Sequence, residues 1–228
     1  MSEKKRGPII AVDGPGGVGK STVSRLLALR LGLTYVDTGA MYRALALGAA
    51  DSGVDPADDT AVKEYCSGAA LSYDFKTHDT LVNGVSYAAR LREQKTGELA
   101  SVFSAKQPVR ALLTAFQRAL GSRGSIVMEG RDIGTVVFPD ADAKVFLDAS
   151  HEVRAKRRHK EVTPGAPHTA EEVSKELKTR DERDSGRRTA PLKMAEDAVH
   201  IDTGAMTAEE VVDRIVEVLK DKGISIKP

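Results

Sequence analysis

Tryptophan is absent from the 228-residue chain, aromatic residues supply only 4% of it, and Cys66 is its single cysteine. One cysteine excludes an intrachain disulfide framework and any zinc motif built on paired cysteines. So few aromatics argue against a surface of stacking platforms for single-stranded nucleic acid. An excess of positive charge is lacking as well: 34 Lys and Arg stand against 33 Asp and Glu, so the overall electrostatic footprint of a nucleic-acid binder is missing. Long apolar runs are also missing; the stretch Ile9 to Val12, after the polar and basic Met1 to Arg6, is far too short for a membrane span or a signal-peptide core. The chain is therefore expected to be cytoplasmic, with neither nucleic acid nor membrane as a partner. No internal repeat or low-complexity stretch is seen. What is present is 41% apolar and 29% charged residues, enough for a real core in one α/β domain with insertions or in two small lobes.

The apolar run Pro8 to Asp13 has strand composition and ends in a glycine-rich turn, Gly14 to Gly19. A helix is expected from Lys20 to Leu31, because Val23, Leu26, Leu27 and Leu31 follow helical spacing and Gly32 is a natural stop. A short strand from Leu33 to Asp37 and a helix from Ala40 to Ala50 continue the pattern, which is the start of a parallel sheet. The middle differs. Leu71–Phe75, Thr80–Val82 and Val85–Ala88 read as short antiparallel strands, with Asn83-Gly84 as a tight turn. Helical character returns from Lys95 to Leu120, and buried strands are expected at Ser125–Glu129, Ala143–Asp148 and Ala198–Asp202. His151 to Arg188 is strongly charged and mostly helical, broken at Pro164-Gly165-Ala166-Pro167, and a last helix from Thr207 to Lys220 has Thr207 as N-cap and Glu210 in the capping-box position. The fold class is thus α/β: a five-stranded parallel core flanked by helices, one antiparallel insertion and one charged excursion.

Gly14-Pro-Gly-Gly-Val-Gly-Lys20-Ser21 fits G-x-x-x-x-G-K-[ST] after a strand and before a helix. Glycines let backbone N–H groups turn inward, the helix directs its positive end to the same place, Lys20 supplies a mobile cation, and Ser21 offers a hydroxyl to Mg²⁺. A nucleoside triphosphate is the expected ligand. A regulatory GTPase shares this loop but reads guanine with Asn-Lys-x-Asp, and the single asparagine, Asn83, is followed by Gly84-Val85-Ser86.

A small kinase needs a second phosphate site, for which the planar fork of arginine is suited. Arg43, Arg110, Arg131 and the cluster Arg154, Arg157 and Arg158 are candidates. Arg131 follows the carboxyl end of a buried strand, where open α/β sheets bind ligands. Glu129 is either a holder of Mg²⁺ or a strand-end carboxylate capping the next turn. On a helix, Arg180, Arg183, Asp184 and Arg187 would share a face and crowd three guanidiniums around one carboxylate, which is costly without an anion between them. Such a segment suits a mobile lid that excludes water from phosphoryl transfer, the alternative being an exposed helix laced with ion pairs.

The segments Asp13–Lys20, Asp37-Thr-Gly-Ala-Met-Tyr-Arg43, Gly130-Arg-Asp-Ile-Gly-Thr-Val-Val-Phe-Pro-Asp140 and Arg180-Asp-Glu-Arg-Asp184 together resemble bacterial cytidylate kinases, the (d)CMP kinases among P-loop nucleoside monophosphate kinases, over nearly the whole chain. The resemblance implies a core (1–37, 121–153, 189–228), a monophosphate-binding lobe with the antiparallel insert (38–120) and a helical lid (154–188). It implies transfer of the γ-phosphate of ATP to CMP or dCMP, with Mg²⁺ and no covalent intermediate. ATP would be bound by Gly14, Pro15, Gly16, Gly17, Val18, Gly19, Lys20, Ser21 and Thr22. Ser101, Arg110 and Asp132 would read cytosine, Arg180 and Asp184 would hold the pentose, and Arg43, Arg131 and Arg187 would meet the acceptor phosphate, with Thr38 beside them. Lys20, Arg131, Arg158 and Arg187 would be catalytic, and Ser21 and Glu129 would serve the metal. Two departures stand out: Glu129 replaces an Asp common in the family, and Thr38 replaces a Ser. An adenylate-type kinase and a non-catalytic nucleotide switch are the competing readings, and a monomer is the expected state.

Overall fold

The computed structural model describes residues 6–161, 169–187 and 189–224. Along the chain, β1 (Ile9–Asp13), α1 (Lys20–Leu31), β2 (Thr34–Asp37) and α2 (Thr38–Asp51) come first, followed by α3 (Asp59–Gly68). Then come β3 (Leu71–Asp74), β4 (Asp79–Val82), β5 (Val85–Ser86), α4 (Gln94–Ser104) and α5 (Gln107–Gly121). The last part holds β6 (Ile126–Gly130), a π-turn at Ile133–Val137, β7 (Ala143–Asp148), α6 (His151–Glu161), α7 (Ala170–Ser185), β8 (Val199–Asp202) and α8 (Ala208–Asp221). The expected break at Pro164–Pro167 lies outside the described residues. No helix among the described residues is long and apolar enough to cross a membrane.

The five-stranded sheet has the order β2-β6-β1-β7-β8, and β1 pairs in parallel with both β6 and β7, as β7 does with β8. A central strand is covered on both faces, which is why β1 reads Ile-Ile-Ala-Val-Asp with every residue buried. Its Ile10 and Val12 pack with Val145 and Leu147 of β7, Leu27 of α1, and Ile215 and Leu219 of α8. The apolar positions of α8 recur at three and four residues, and its start is fixed by the Thr207–Glu210 capping box. Truncating a fully buried member such as Leu27 to Ala would cost about 2–5 kcal/mol.

Asp37–Leu120 form one compact unit, and the chain on either side of that segment forms the other. Within Asp37–Leu120, β3, β4 and β5 make an antiparallel sheet. Asn83 and Gly84 both take positive φ (52° and 78°), the conformation a two-residue hairpin of primed type demands. The structure adds α3, which the sequence reading left unassigned; Asp58 caps it by accepting from the amides of Thr60 and Ala61 at 2.9 and 3.0 Å. The helical stretch expected to run from Lys95 to Leu120 is two helices. Pro108, lacking an N–H, fits the first turn of α5 and could not lie deep within a helix continued from α4.

Candidate active site

The phosphate loop hangs from the buried end of β1. Gly14, Gly17 and Gly19 have φ of 150°, 77° and 91°, values open to glycine and strained for other residues. The start of α1 carries no side-chain cap and no acidic residue in its first turn. Helices α7 and α8, by contrast, close their N-termini with full capping boxes. The amides at the head of α1 are therefore available to an external anion. Lys20 is buried, with Nζ donating to the Pro15 carbonyl at 2.6 Å. Burial, then the nearby Arg131, push its pKa down to about 7, against the pull of Glu129 and Asp13 and with a further push from Arg180. Ser21 and Thr22 are exposed beside it.

Two buried carboxylates stand at the strand ends. Asp13 accepts from the amides of Ile133 and Gly134 at 2.9 and 2.7 Å, so one side chain ties the end of β1 to the turn that follows Arg131 and Asp132. Burial raises its pKa to about 6 in spite of those two donors. Glu129, the penultimate residue of β6, accepts from the Tyr35 hydroxyl at 2.6 Å. Asp132 is also buried.

Asp184 is the hub of the cationic cluster. It is ion-paired with Arg187, with Arg131 at 3.1 Å and with Arg180 at 4.0 Å. Burial works to raise its pKa, yet the three guanidiniums outweigh burial and hold the carboxyl below the usual range. The crowding expected on one helix face is thus corrected in detail: α7 ends at Ser185, and Arg131, from the end of β6, joins Arg180 and Arg187 around this carboxylate. Asp184 itself is the anion that makes the cluster tolerable. The basic stretch of α6 separates into distinct roles. Arg154 is buried against the loop, Arg157 bonds to Thr203, and Arg158 is exposed and paired with Glu161 at 3.1 Å.

Within Asp37–Leu120, Asp37 caps α2 by accepting from the Ala40 amide at 2.9 Å and pairs with Arg43 at 3.1 Å. Thr38 is buried in the first turn of α2. Arg110 is buried, with its guanidinium 5.6 Å from the centre of the Tyr42 ring and Nη1 donating to the Ser104 carbonyl at 3.4 Å. Ser104 in turn donates to the carbonyl of the buried Ser101 at 2.8 Å. Each unit therefore brings its own share of the expected residues together: the loop, Glu129, Arg131, Asp132, Arg180, Asp184 and Arg187 in one, and Thr38, Arg43, Ser101 and Arg110 in the other.

Sequence reasoning missed Asp13 as a clamp, Tyr35 as the partner of Glu129, and Thr203. One signal was available for the last: Asp-Thr-Gly-Ala-Met at 37–41 recurs at 202–206, each time at the end of a strand.

A phosphate loop on the central strand, a buried lysine within it and an arginine cluster in the same unit define a P-loop kinase. The fold agrees with that of a shikimate kinase from Bacteroides thetaiotaomicron at a TM-score of 0.50, with 15% identity over 93% of this chain and 98% of that one. That likeness concerns the fold alone. The family model for cytidylate kinase matches residues 10–221, and the chain belongs to that family. A cytidylate kinase from Citrifermentans bemidjiense is 44% identical over 222 residues, 96% of this chain and 95% of the relative. Another, from Thermosipho melanesiensis, is 46% identical over 216 residues, 93% and 97% of the two chains.

Proposed function

We propose that the protein transfers the γ-phosphate of ATP to CMP or dCMP, giving ADP and CDP or dCDP. The observation that carries this reading is the uncapped, amide-lined loop at Gly14–Lys20, in one unit with the Arg131–Arg180–Arg187 cluster, on a chain of the cytidylate kinase family. Loop amides and Lys20 hold the triphosphate, whose charge restores the proton that burial loosens from the lysine. Arg43, Arg131 and Arg187 take the acceptor phosphate, and Arg158 with Arg131, Lys20 and Arg187 offsets charge as the phosphoryl crosses in line. Asp184 keeps the guanidiniums in place and, with Arg180, holds the pentose.

Ser101, Arg110 and Asp132 read the base. A carboxylate accepts from the 4-amino group of cytosine and repels the carbonyl that uracil presents there. Asp132 serves recognition and is no obligatory base, since the acceptor phosphate is already an anion. Helices α6 and α7 act as the lid that excludes water.

Mg²⁺ suits the residues at this site. Among the described residues no cluster of acidic, His or Cys side chains could hold a metal by itself. An exposed Ser21 hydroxyl and the buried Glu129 carboxylate match a hard cation that is bound mainly through nucleotide oxygens. Ser21 and Glu129 would hold it, and when bound it neutralises charge between the β- and γ-phosphates. The enzyme is read as a cytoplasmic monomer.

The test is ADP release with CMP, dCMP, UMP, AMP and shikimate as acceptors. CMP and dCMP are expected to give the highest turnover; background rates with both would reject the assignment. Asp132→Ala should damage CMP use far more than ATP binding, and equal damage would favour an adenylate-type kinase.

A further inference from the structure

We infer that Arg154, Arg157 and Thr203 form a clamp that sets the phosphate loop from behind, as positioning residues of the donor site and not as contacts of the reacting phosphoryl. Arg154 and Arg157 lie three residues apart on α6, so their side chains leave the same face. The guanidinium of Arg154 donates to the Gly16 carbonyl at 3.2 Å and, through Nε, to the Ala149 carbonyl at 3.1 Å. Asp181 of α7 is its ion-pair partner, which satisfies the charge of a buried arginine. Arg157 donates to the Thr203 hydroxyl at 2.9 Å and to the Thr203 carbonyl at 2.7 Å. The Thr203 hydroxyl lies 3.1 Å from both the Val18 and Asp148 carbonyls, and its amide donates to the Asp148 carbonyl at 2.8 Å. The clamp is thereby anchored to the end of β7.

The two captured loop carbonyls, Gly16 and Val18, flank Gly17. In a trans peptide the C=O of one residue and the N–H of the next point in opposite directions. Holding the Gly16 and Val18 carbonyls on the α6 side therefore turns the amides of Gly17 and Gly19 away from it, towards the side an anion would take. Were either peptide to flip, a carbonyl oxygen would face the phosphates instead. The approach is close: a Cβ on Gly17 would lie 2.8 Å from the Arg154 carbonyl oxygen. Of the three neighbouring arginines, Arg158 alone is not engaged with the loop or with Thr203, being exposed beside Glu161.

The inference rests on the reading of the loop as an ATP site, and equilibrium binding in the full-length protein separates the two. Mg-ATP and CMP are each titrated alone, with thermal unfolding followed in parallel, on the unaltered protein and on Thr203→Val, Thr203→Ser and Arg157→Lys. Failure of the unaltered protein to bind ATP would sink the ATP-site reading itself. Given such binding, Thr203→Val should weaken ATP about tenfold, as loss of a buried hydrogen bond that shapes a site does. CMP affinity should stay within about twofold, and Thr203→Ser should recover most of the loss. ATP binding unchanged in a folded Thr203→Val, no recovery by Ser, or an equal loss for CMP would each overturn the clamp. If Thr203→Val does not fold, Arg157→Lys decides by the same criteria, because an ammonium cannot reproduce the two-pronged bond to Thr203.

Discussion

The unit built on β1 and the unit Asp37–Leu120 prepare polar recognition in different ways. In the first, recognition rests on the backbone: positive-φ glycines, an uncapped helix start, and loop carbonyls held by the buried Arg154 and by Thr203. In the second it rests on side chains parked against neighbours, Arg43 on Asp37 and Arg110 over Tyr42. A triphosphate tail is common to many substrates, so a surface of amides suffices; a particular base needs particular side chains. Apart from the acceptor contacts proposed for Arg131, Asp132, Arg180, Asp184 and Arg187, substitutions in the first unit should therefore affect stability and rate, whereas those in the second should alter the choice of acceptor.

The largest effect is expected from Asp184→Ala. Removing the hub takes away the buried carboxylate that Arg131, Arg180 and Arg187 share, at a cost of about 3–5 kcal/mol in denaturant unfolding. A loss below about 1 kcal/mol would show that solvent already screens the cluster. Next, Lys20→Ala should lower kcat on the order of a hundred- to a thousandfold by removing a preorganised cation, with CMP binding kept. Loss of CMP affinity to the same degree would erase the contrast between the units.

Asp13→Asn tests the buried carboxylate by pH. Asp13 titrates near 6 in the fold against an ordinary 3.8, so the folded state holds its proton more tightly than the unfolded chain. Its contribution to stability is present below pH 3.8 and is lost as pH rises through 6. Relative to the unaltered protein, the Asn variant should gain up to about 3 kcal/mol between pH 3.5 and pH 7, read from unfolding at both values. A pH-independent difference would mean that the carboxyl is not penalised by burial. The smallest effect belongs to Arg110→Met, expected to raise KM for CMP about tenfold while KM for ATP stays unchanged. A matching rise for ATP would show that Arg110 acts on the fold and not on acceptor choice.

These contrasts explain what could be read from the chain. The loop, α1 and the five strands of the sheet were legible because glycine placement and apolar period are local signals, and α1 matches its expected limits from Lys20 to Leu31. Helix α3 escaped notice: its buried residues are only Val62 and Cys66, too few for a clear period. The division of α4 from α5 turns on Pro108 within a continuous apolar pattern. At the site, residue types could be recognised but not their partners. Arg131 and Asp184 are 53 positions apart, and Arg157 and Thr203 are 46 apart; such pairs exist only after the sheet has assembled. Spacing alone groups Arg183 with its neighbours on α7, while Arg131 comes to the cluster from just past the end of β6.

The position of β1 between β6 and β7 has a consequence for how the molecule opens. Every residue from Ile9 to Asp13 is buried, so the amide hydrogens of this strand should exchange with deuterium only when the whole unit unfolds. The segment that follows, Gly14 to Gly19, is thus suspended from the slowest-exchanging part of the molecule, and fraying at the outer strand β2 can proceed without disturbing it, whereas fraying of β8 would release Thr203 from the Val18 carbonyl.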